Sequence, residues 1–219
     1  PGREQKQAWR AQSVTQGNLL TQLGSGYMPD TLVGVEMFGH SVDAELELVF
    51  LQRSLAEPLY ALTCQHRAYL SRWLPWPPAI ASVEDTLVFI QRMVQQFAEG
   101  RAMQCALLYR GEVVGVCGFN IINRRLKRVQ IGYWLAEPWQ GLGIVTRACR
   151  WLMALAFESW AMERVEIAVA VENQRSRAVC ERLGMRAGVI IPQAEQLAHG
   201  WVDHQPYFLT AEEWFAHDH

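Results

Sequence analysis

The 219 residues contain no apolar run of membrane-spanning length, and the first residues lack the apolar core of a secretion signal. The cytoplasm is therefore the expected location. A basic surplus is also missing: 20 Lys and Arg stand against 22 Asp and Glu, a net charge of -2, which argues against a nucleic-acid platform. Five cysteines (64, 105, 117, 149 and 180) make no Cys-x-x-Cys pair. Each sits in an apolar segment, so they are expected as reduced core residues rather than disulfides or metal ligands. His199, His204, His217 and His219 crowd the C-terminal stretch without zinc-site spacing or companion cysteines, so no metal is expected. Repeats and low-complexity blocks are absent too. What remains is 50% hydrophobic, enough for one domain with a substantial core.

The most informative stretch follows the apolar run Ile131–Ala136. There Gln140-Gly141-Leu142-Gly143 leads directly into a helical pattern from Ile144. A strand, a bare-backbone turn and a helix start make an anion cradle. The first helical N–H groups have no intrahelical acceptor, and the helix dipole adds partial positive charge there. Gly141 and Gly143 allow close approach of a ligand. No Gly-Lys-Ser/Thr follows, which excludes a P-loop, and Thr146 occupies the third glycine position of a dinucleotide fingerprint. A pyrophosphate held without a metal-binding lysine fits what is left.

Residues 1–38 show poor periodicity and begin with Pro1-Gly2. They are expected to be an N-terminal extension, a tag remnant or a linker to another domain, with Leu19–Leu23 as a short docking helix. Regular patterning starts at Ala44, with a first strand over Leu46–Phe50 and a helix over Glu57–Trp73 that Pro75, Pro77 and Pro78 end. Ser82 and Asp85 open the next helix as a capping-box variant, and Gly100 closes it. Strands are predicted over Cys105–Tyr109, Val113–Ile122 and Arg128–Ala136, joined by short antiparallel connections. A helix over Ile144–Trp160, a strand over Arg164–Val171 and a helix over Ser176–Leu183 follow, then strands at Gly188–Ile191 and His204–Leu209. The fold class is α+β, a mixed sheet with helices on both faces.

Three segments in order resemble the GNAT N-acetyltransferases, over about residues 40 to 215. Gln140-Gly-Leu-Gly143-Ile-Val145 resembles the acetyl-CoA loop Gln/Arg-x-x-Gly-x-Gly/Ala, with Val145 where a small residue is usual. Glu172-Asn173-Gln-Arg-Ser176 through Leu183-Gly184-Met185 resembles the Asn-x-x-Ser...Leu-Gly-Phe segment of the RimJ/RimL-type branch. His66-Arg67-Ala-Tyr-Leu70-Ser-Arg-Trp73-Leu-Pro-Trp76 resembles that branch's Asn/His-Arg-x-x-Leu-x-x-Trp-Leu-Pro-Trp. The resemblance implies a GNAT fold over residues 39–219, with a mostly antiparallel sheet splayed between the fourth and fifth predicted strands.

It also implies roles for individual residues. Trp134, Leu135 and Ala136 would pair their backbone with the pantetheine arm, and amides there would polarise the thioester carbonyl. The amides of Gly141, Leu142, Gly143, Ile144 and Val145 would hold the pyrophosphate, with Gln140 shaping the turn. The ligand needs the amide of Val145 and not its side chain. Ser176 would donate a proton to the leaving thiolate or serve in the helix N-cap region, and Asn173 would hold the cofactor arm or cap the same helix. Arg175 and Arg177 would meet the cofactor's 3′-phosphate or decorate a solvated face. Glu195 would draw the proton from the amine or stand as a solvated loop glutamate. Gln130 replaces a glutamate that many branch members carry, so the base assignment falls to Glu195. Trp73 and Trp76 would wall the acceptor side or join the core, and Arg67 would guide an acidic acceptor or pair with a surface carboxylate. Cys180 is expected as a buried thiol, since direct transfer needs no covalent intermediate.

The expected activity is acetyl transfer from acetyl-CoA to a primary amine by direct attack, without a metal. A protein N-terminal α-amine is the leading acceptor. A small-molecule amine (a polyamine, an antibiotic or an aminoacyl-nucleotide toxin) is the alternative enzyme reading, and a non-catalytic acetyl-CoA-binding regulatory module is the reading from another class. The branch also admits a homodimer.

Overall fold

A computed structural model describes residues 39–216. The extension expected at 1–38, the docking helix expected over Leu19–Leu23, and His217 and His219 lie outside the described residues. Nine strands form the sheet: β1 (Gly39–Ser41), β2 (Leu46–Phe50), β3 (Met103–Tyr109), β4 (Glu112–Asn123), β5 (Arg128–Leu135), β6 (Arg164–Ala170), β7 (Arg186–Ala187), β8 (Ile191–Leu197) and β9 (Gly200–Thr210). Six α-helices accompany them: α1 (Ala56–Gln65), α2 (Arg67–Leu70), α3 (Val83–Ala98), α4 (Ile144–Ala154), α5 (Gln174–Arg182) and α6 (Ala211–Ala216). The spatial order is β1-β2-β3-β4-β5-β6-β9-β7, with β8 on β9. Every pairing is antiparallel except β5 with β6.

Alternation along the strands sends side chains to two apolar layers. Met103, Cys105 and Leu107 of β3 face the α4 side, where Ala148, Cys149, Leu152 and Met153 pack. Ala106 and Leu108 face the other layer, with Leu59 of α1 and Ile90 of α3. Because both faces are covered, all seven residues of β3 are buried. Leu152 is wholly buried in the larger layer. Leu152→Ala is therefore expected to cost about 2–5 kcal/mol, to be checked by urea unfolding.

The capping box forms as expected, Ala81 and Ser82 donating their amides to Asp85 at 2.8 and 2.9 Å. Several elements differ from the sequence reading. The helix expected over Glu57–Trp73 breaks at His66, whose φ/ψ of -111° and 15° are not helical. Just before the break, Thr63 bonds back to the Leu59 carbonyl at 2.8 Å, an arrangement that bends helices. The helix from Ile144 stops being α-helical at Ala154 and runs on as a π-turn over Leu155–Ser159, seating Trp160 against Phe119 with ring centres 5.2 Å apart. The strand expected at Gly188–Ile191 is not formed as such: 188–190 lie between β7 and β8, and β8 begins at Ile191 and runs on to Leu197, so Glu195 lies on a strand and not in a loop. β1, at the sheet edge, precedes the first strand expected, so the fourth and fifth predicted strands are β5 and β6. Cys64 is exposed, against its expected core position, while the other four cysteines are buried.

Candidate active site

The parallel pairing of β5 with β6 runs only from Arg128–Arg164 to Ile131–Ile167. Beyond it, Gly132–Leu135 stays bonded to β4, and Ala168–Ala170 stays bonded to β9 on the far edge of β6. The two strands part, leaving facing edges with no strand between them. Such edges complete their hydrogen bonds with an extended, amide-bearing ligand. Trp134 and Leu135 lie on this edge. Ala136 ends it, since its N–H donates to Val114 at 2.9 Å and its carbonyl accepts from Trp139 at 3.2 Å.

Immediately beyond, Gly141 and Gly143 take left-handed φ values of 80° and 72°. A Cβ on either would meet nothing within 4 Å, so backbone conformation rather than crowding demands glycine. Among the described residues the amides of Gly141 to Thr146 find no backbone acceptor, and the first helical bond is Arg147 to Gly143 at 3.0 Å. Ile144 and Val145 turn their side chains into the core, at 1% and 8% exposure. The branched side chain of Val145 thus stays out of the cradle. Behind the loop, the buried Thr146 Oγ1 lacks a hydrogen-bond partner among the described residues. Open amides, a helix N-terminus and an orphaned hydroxyl suit a pyrophosphate. Gln140 shapes the approach by donating to the Tyr69 hydroxyl on α2 and accepting from Arg175 on α5.

At the mouth of the splay, Asn173 caps α5, its Oδ1 accepting from the Ser176 amide at 3.1 Å. That leaves the Ser176 hydroxyl free of the capping task. It lies 2.6 Å from the Tyr133 hydroxyl on β5. Burial, with the Cys149 and Cys180 thiols nearby, pushes the Tyr133 phenol well above the usual tyrosine range. Burial likewise pushes the Cys180 thiol up to about 12, so it is no nucleophile. Arg177 donates to the Tyr207 hydroxyl at 3.1 Å and the Val171 carbonyl at 3.3 Å.

Glu195 faces Val202 across the β8–β9 pair, next to a register irregularity that begins at Ile191. There Gln193 adopts φ 48° and donates its amide to Asp203 Oδ1 at 2.8 Å. The Glu195 carboxylate lies 3.5 Å from His204 Nε2. His204 in turn sits opposite Ala170, the last residue of β6, whose carbonyl accepts the Asn173 amide at 2.9 Å. A series of side-chain and backbone contacts thus links Glu195 through His204, Ala170 and Asn173 to Ser176.

Residues 45–186 match the acetyltransferase (GNAT) domain. The chain belongs to the GNAT acetyltransferase family. The Escherichia coli (strain K12) ribosomal-protein-serine acetyltransferase is 33% identical over 162 residues, covering 74% of this chain and 90% of that one. Among solved structures, the microcin C7 self-immunity acetyltransferase MccE, in complex with acetyl-CoA and AMP, is 28% identical with a TM-score of 0.76, covering 82% of this chain and 99% of that one. RimL, the ribosomal L7/L12 α-N-protein acetyltransferase, in complex with coenzyme A, is 31% identical with a TM-score of 0.75, covering 78% and 97%. This GNAT protein is an N-acetyltransferase that uses acetyl-CoA, and the splay and cradle fit that co-substrate.

In this acetyltransferase the Trp76 ring lies against Trp134 with centres 5.7 Å apart and planes tilted by 56°. The structure thereby joins an expected wall residue to an expected cofactor-strand residue. Trp73 is half-buried in the turn after α2. Arg67 donates to the Pro77 carbonyl and, at 3.3 Å, to Cys64 Sγ, holding the Trp73–Pro78 segment rather than a carboxylate. Tyr133, Tyr69, Thr146 and His204 were not singled out as site residues by the sequence. Tyr133 carried a usable signal, a polar-tipped aromatic inside the apolar run Ile131–Ala136. Among the described residues no group of three His, Cys, Asp or Glu side chains could hold a metal ion, and no helix is long and apolar enough to cross a membrane.

Proposed function

We propose that the acceptor is a protein N-terminal α-amine, of the kind the ribosomal-protein-serine acetyltransferase is named for. The observation that carries this reading is the similarity to that enzyme along nine-tenths of its length. In the proposed reaction the amides of Gly141 to Val145 bind the pyrophosphate, and the free edge at Trp134 and Leu135 orients the pantetheine arm. Glu195 takes the proton from the attacking amine, and amides of the splayed edge stabilise the tetrahedral oxygen. Ser176 donates from its hydroxyl to the departing sulfur. Trp76 with Trp134 walls the acceptor side.

A second reading has its own support. MccE is bound to AMP as well as acetyl-CoA, and a paired indole wall suits a nucleobase as well as a peptide. Free-thiol release against peptides with N-terminal serine, polyamines and aminoacyl-nucleotide analogues separates the two. Turnover on the peptides is the expected result. Turnover confined to aminoacyl nucleotides would move the assignment to the small-molecule class, and coenzyme A binding without turnover on any amine would leave a regulatory module. Two copies in solution would complete the branch's expected homodimer.

A further inference from the structure

Ser176 has a difficulty as a donor. A serine hydroxyl carries one proton, and if that proton points at a neighbouring oxygen it is unavailable to the sulfur. At 2.6 Å from Tyr133 the hydroxyl sits in a short O–H···O contact in which only one of the two groups can be donor. The choice between them decides what Ser176 can do.

Three observations settle the direction. The other acceptors for the Tyr133 proton are poorer: the Ser176 carbonyl lies at 3.4 Å, beyond the range of a good O–H···O bond, and the neighbouring Cys180 thiol is a weak acceptor. A phenol is the stronger donor of the two hydroxyl types, because its proton is much the more acidic. Burial among Cys117, Cys149 and Cys180 also keeps the phenol neutral, so its proton is always present.

We propose that Tyr133 is a positioning residue for acetyl transfer: by donating to Ser176 Oγ, it turns the Ser176 proton into the splay toward the thioester sulfur. The proposal rests on the reading of Ser176 as donor to the departing thiolate. No proton leaves Tyr133. As the C–S bond breaks and the electron pair moves to sulfur, the Ser176 hydrogen bond to sulfur strengthens, and the bond from Tyr133 polarises it further. This side-chain contact joins β5, one wall of the splay, to the N-terminal turn of α5, which follows the other wall, β6. Its function is to fix the direction of one hydrogen atom.

Tyr133→Phe keeps the ring and removes only the hydroxyl. It is expected to lower kcat about tenfold, with the KM for acetyl-CoA and the Kd for coenzyme A within about twofold of the parent. Ser176→Ala is expected to lose about a hundredfold, and the double variant to match Ser176→Ala alone, because the two hydroxyls act as one unit. Calorimetric coenzyme A binding and the melting temperature report whether each variant folds. Near-parental turnover by Tyr133→Phe beside an impaired Ser176→Ala would overturn the proposal and leave the Ser176 reading standing. So would additive losses in the double variant, or a Tyr133→Phe protein that binds coenzyme A poorly. Parental turnover by Ser176→Ala would remove the Ser176 reading and this inference with it.

Discussion

Glu195→Gln is expected to lower turnover by about 10²-fold or more, the range of a lost general base, while leaving coenzyme A affinity unchanged. Glutamine has the same shape, keeps a side-chain oxygen in place beside His204, and disturbs neither the β8–β9 pairing nor the bond from Gln193 to Asp203. The loss is therefore assigned to the missing carboxylate. An α-amine has a pKa of about 8, so near pH 7 most of it is protonated and a base is needed, whereas near pH 9 most is already neutral. The deficit of the variant should accordingly narrow as pH rises. Stopped-flow thiol release between pH 7 and 9 checks both the size and the trend. A deficit that stays constant with pH would place Glu195 in acceptor binding instead.

Gly143→Val should abolish cofactor binding at ordinary concentrations without unfolding the protein. Gly143 stands at φ 72° as the residue before α4. A branched side chain in that region costs more than the roughly 1–2 kcal/mol typical of ordinary residues. The chain has room for the extra atoms, so the strain is relieved by turning the backbone. That turn redirects the amides of Leu142 to Val145, which the ligand must meet together. Each 1.4 kcal/mol of mismatch costs about tenfold in affinity, so a loss above about a hundredfold is expected, measured by calorimetry with coenzyme A. Near-normal affinity would show that the loop tolerates a different backbone path.

The cradle was legible because left-handed glycines before a helix leave a local trace. The middle strands were legible for a similar reason, since short Gly turns and apolar runs specify antiparallel neighbours. Features that depend on distant partners left no such trace. Tyr133 and Ser176 lie 43 positions apart, and their contact exists only once β5 and α5 are placed. β8 has little alternation in Ile191-Pro-Gln-Ala-Glu195 and becomes a strand because β9 offers it an edge. The break at His66 hides because apolar spacing persists across a kink. Cys64 was misplaced for another reason: Leu59, Leu62 and Thr63 already fill the buried side of α1, which turns residue 64 outward.

That single outward cysteine bears on how the enzyme is studied. Its reaction liberates a thiol, and turnover is most directly followed with a disulfide dye that any accessible thiol also consumes. Cys105, Cys117, Cys149 and Cys180 are enclosed, and burial pushes the thiols of Cys105 and Cys149 upward as it does that of Cys180. Thiolate is the species that reacts with the dye. The native fold therefore contributes one equivalent of background, from Cys64, and a rise beyond it in a control without acetyl-CoA reports unfolding.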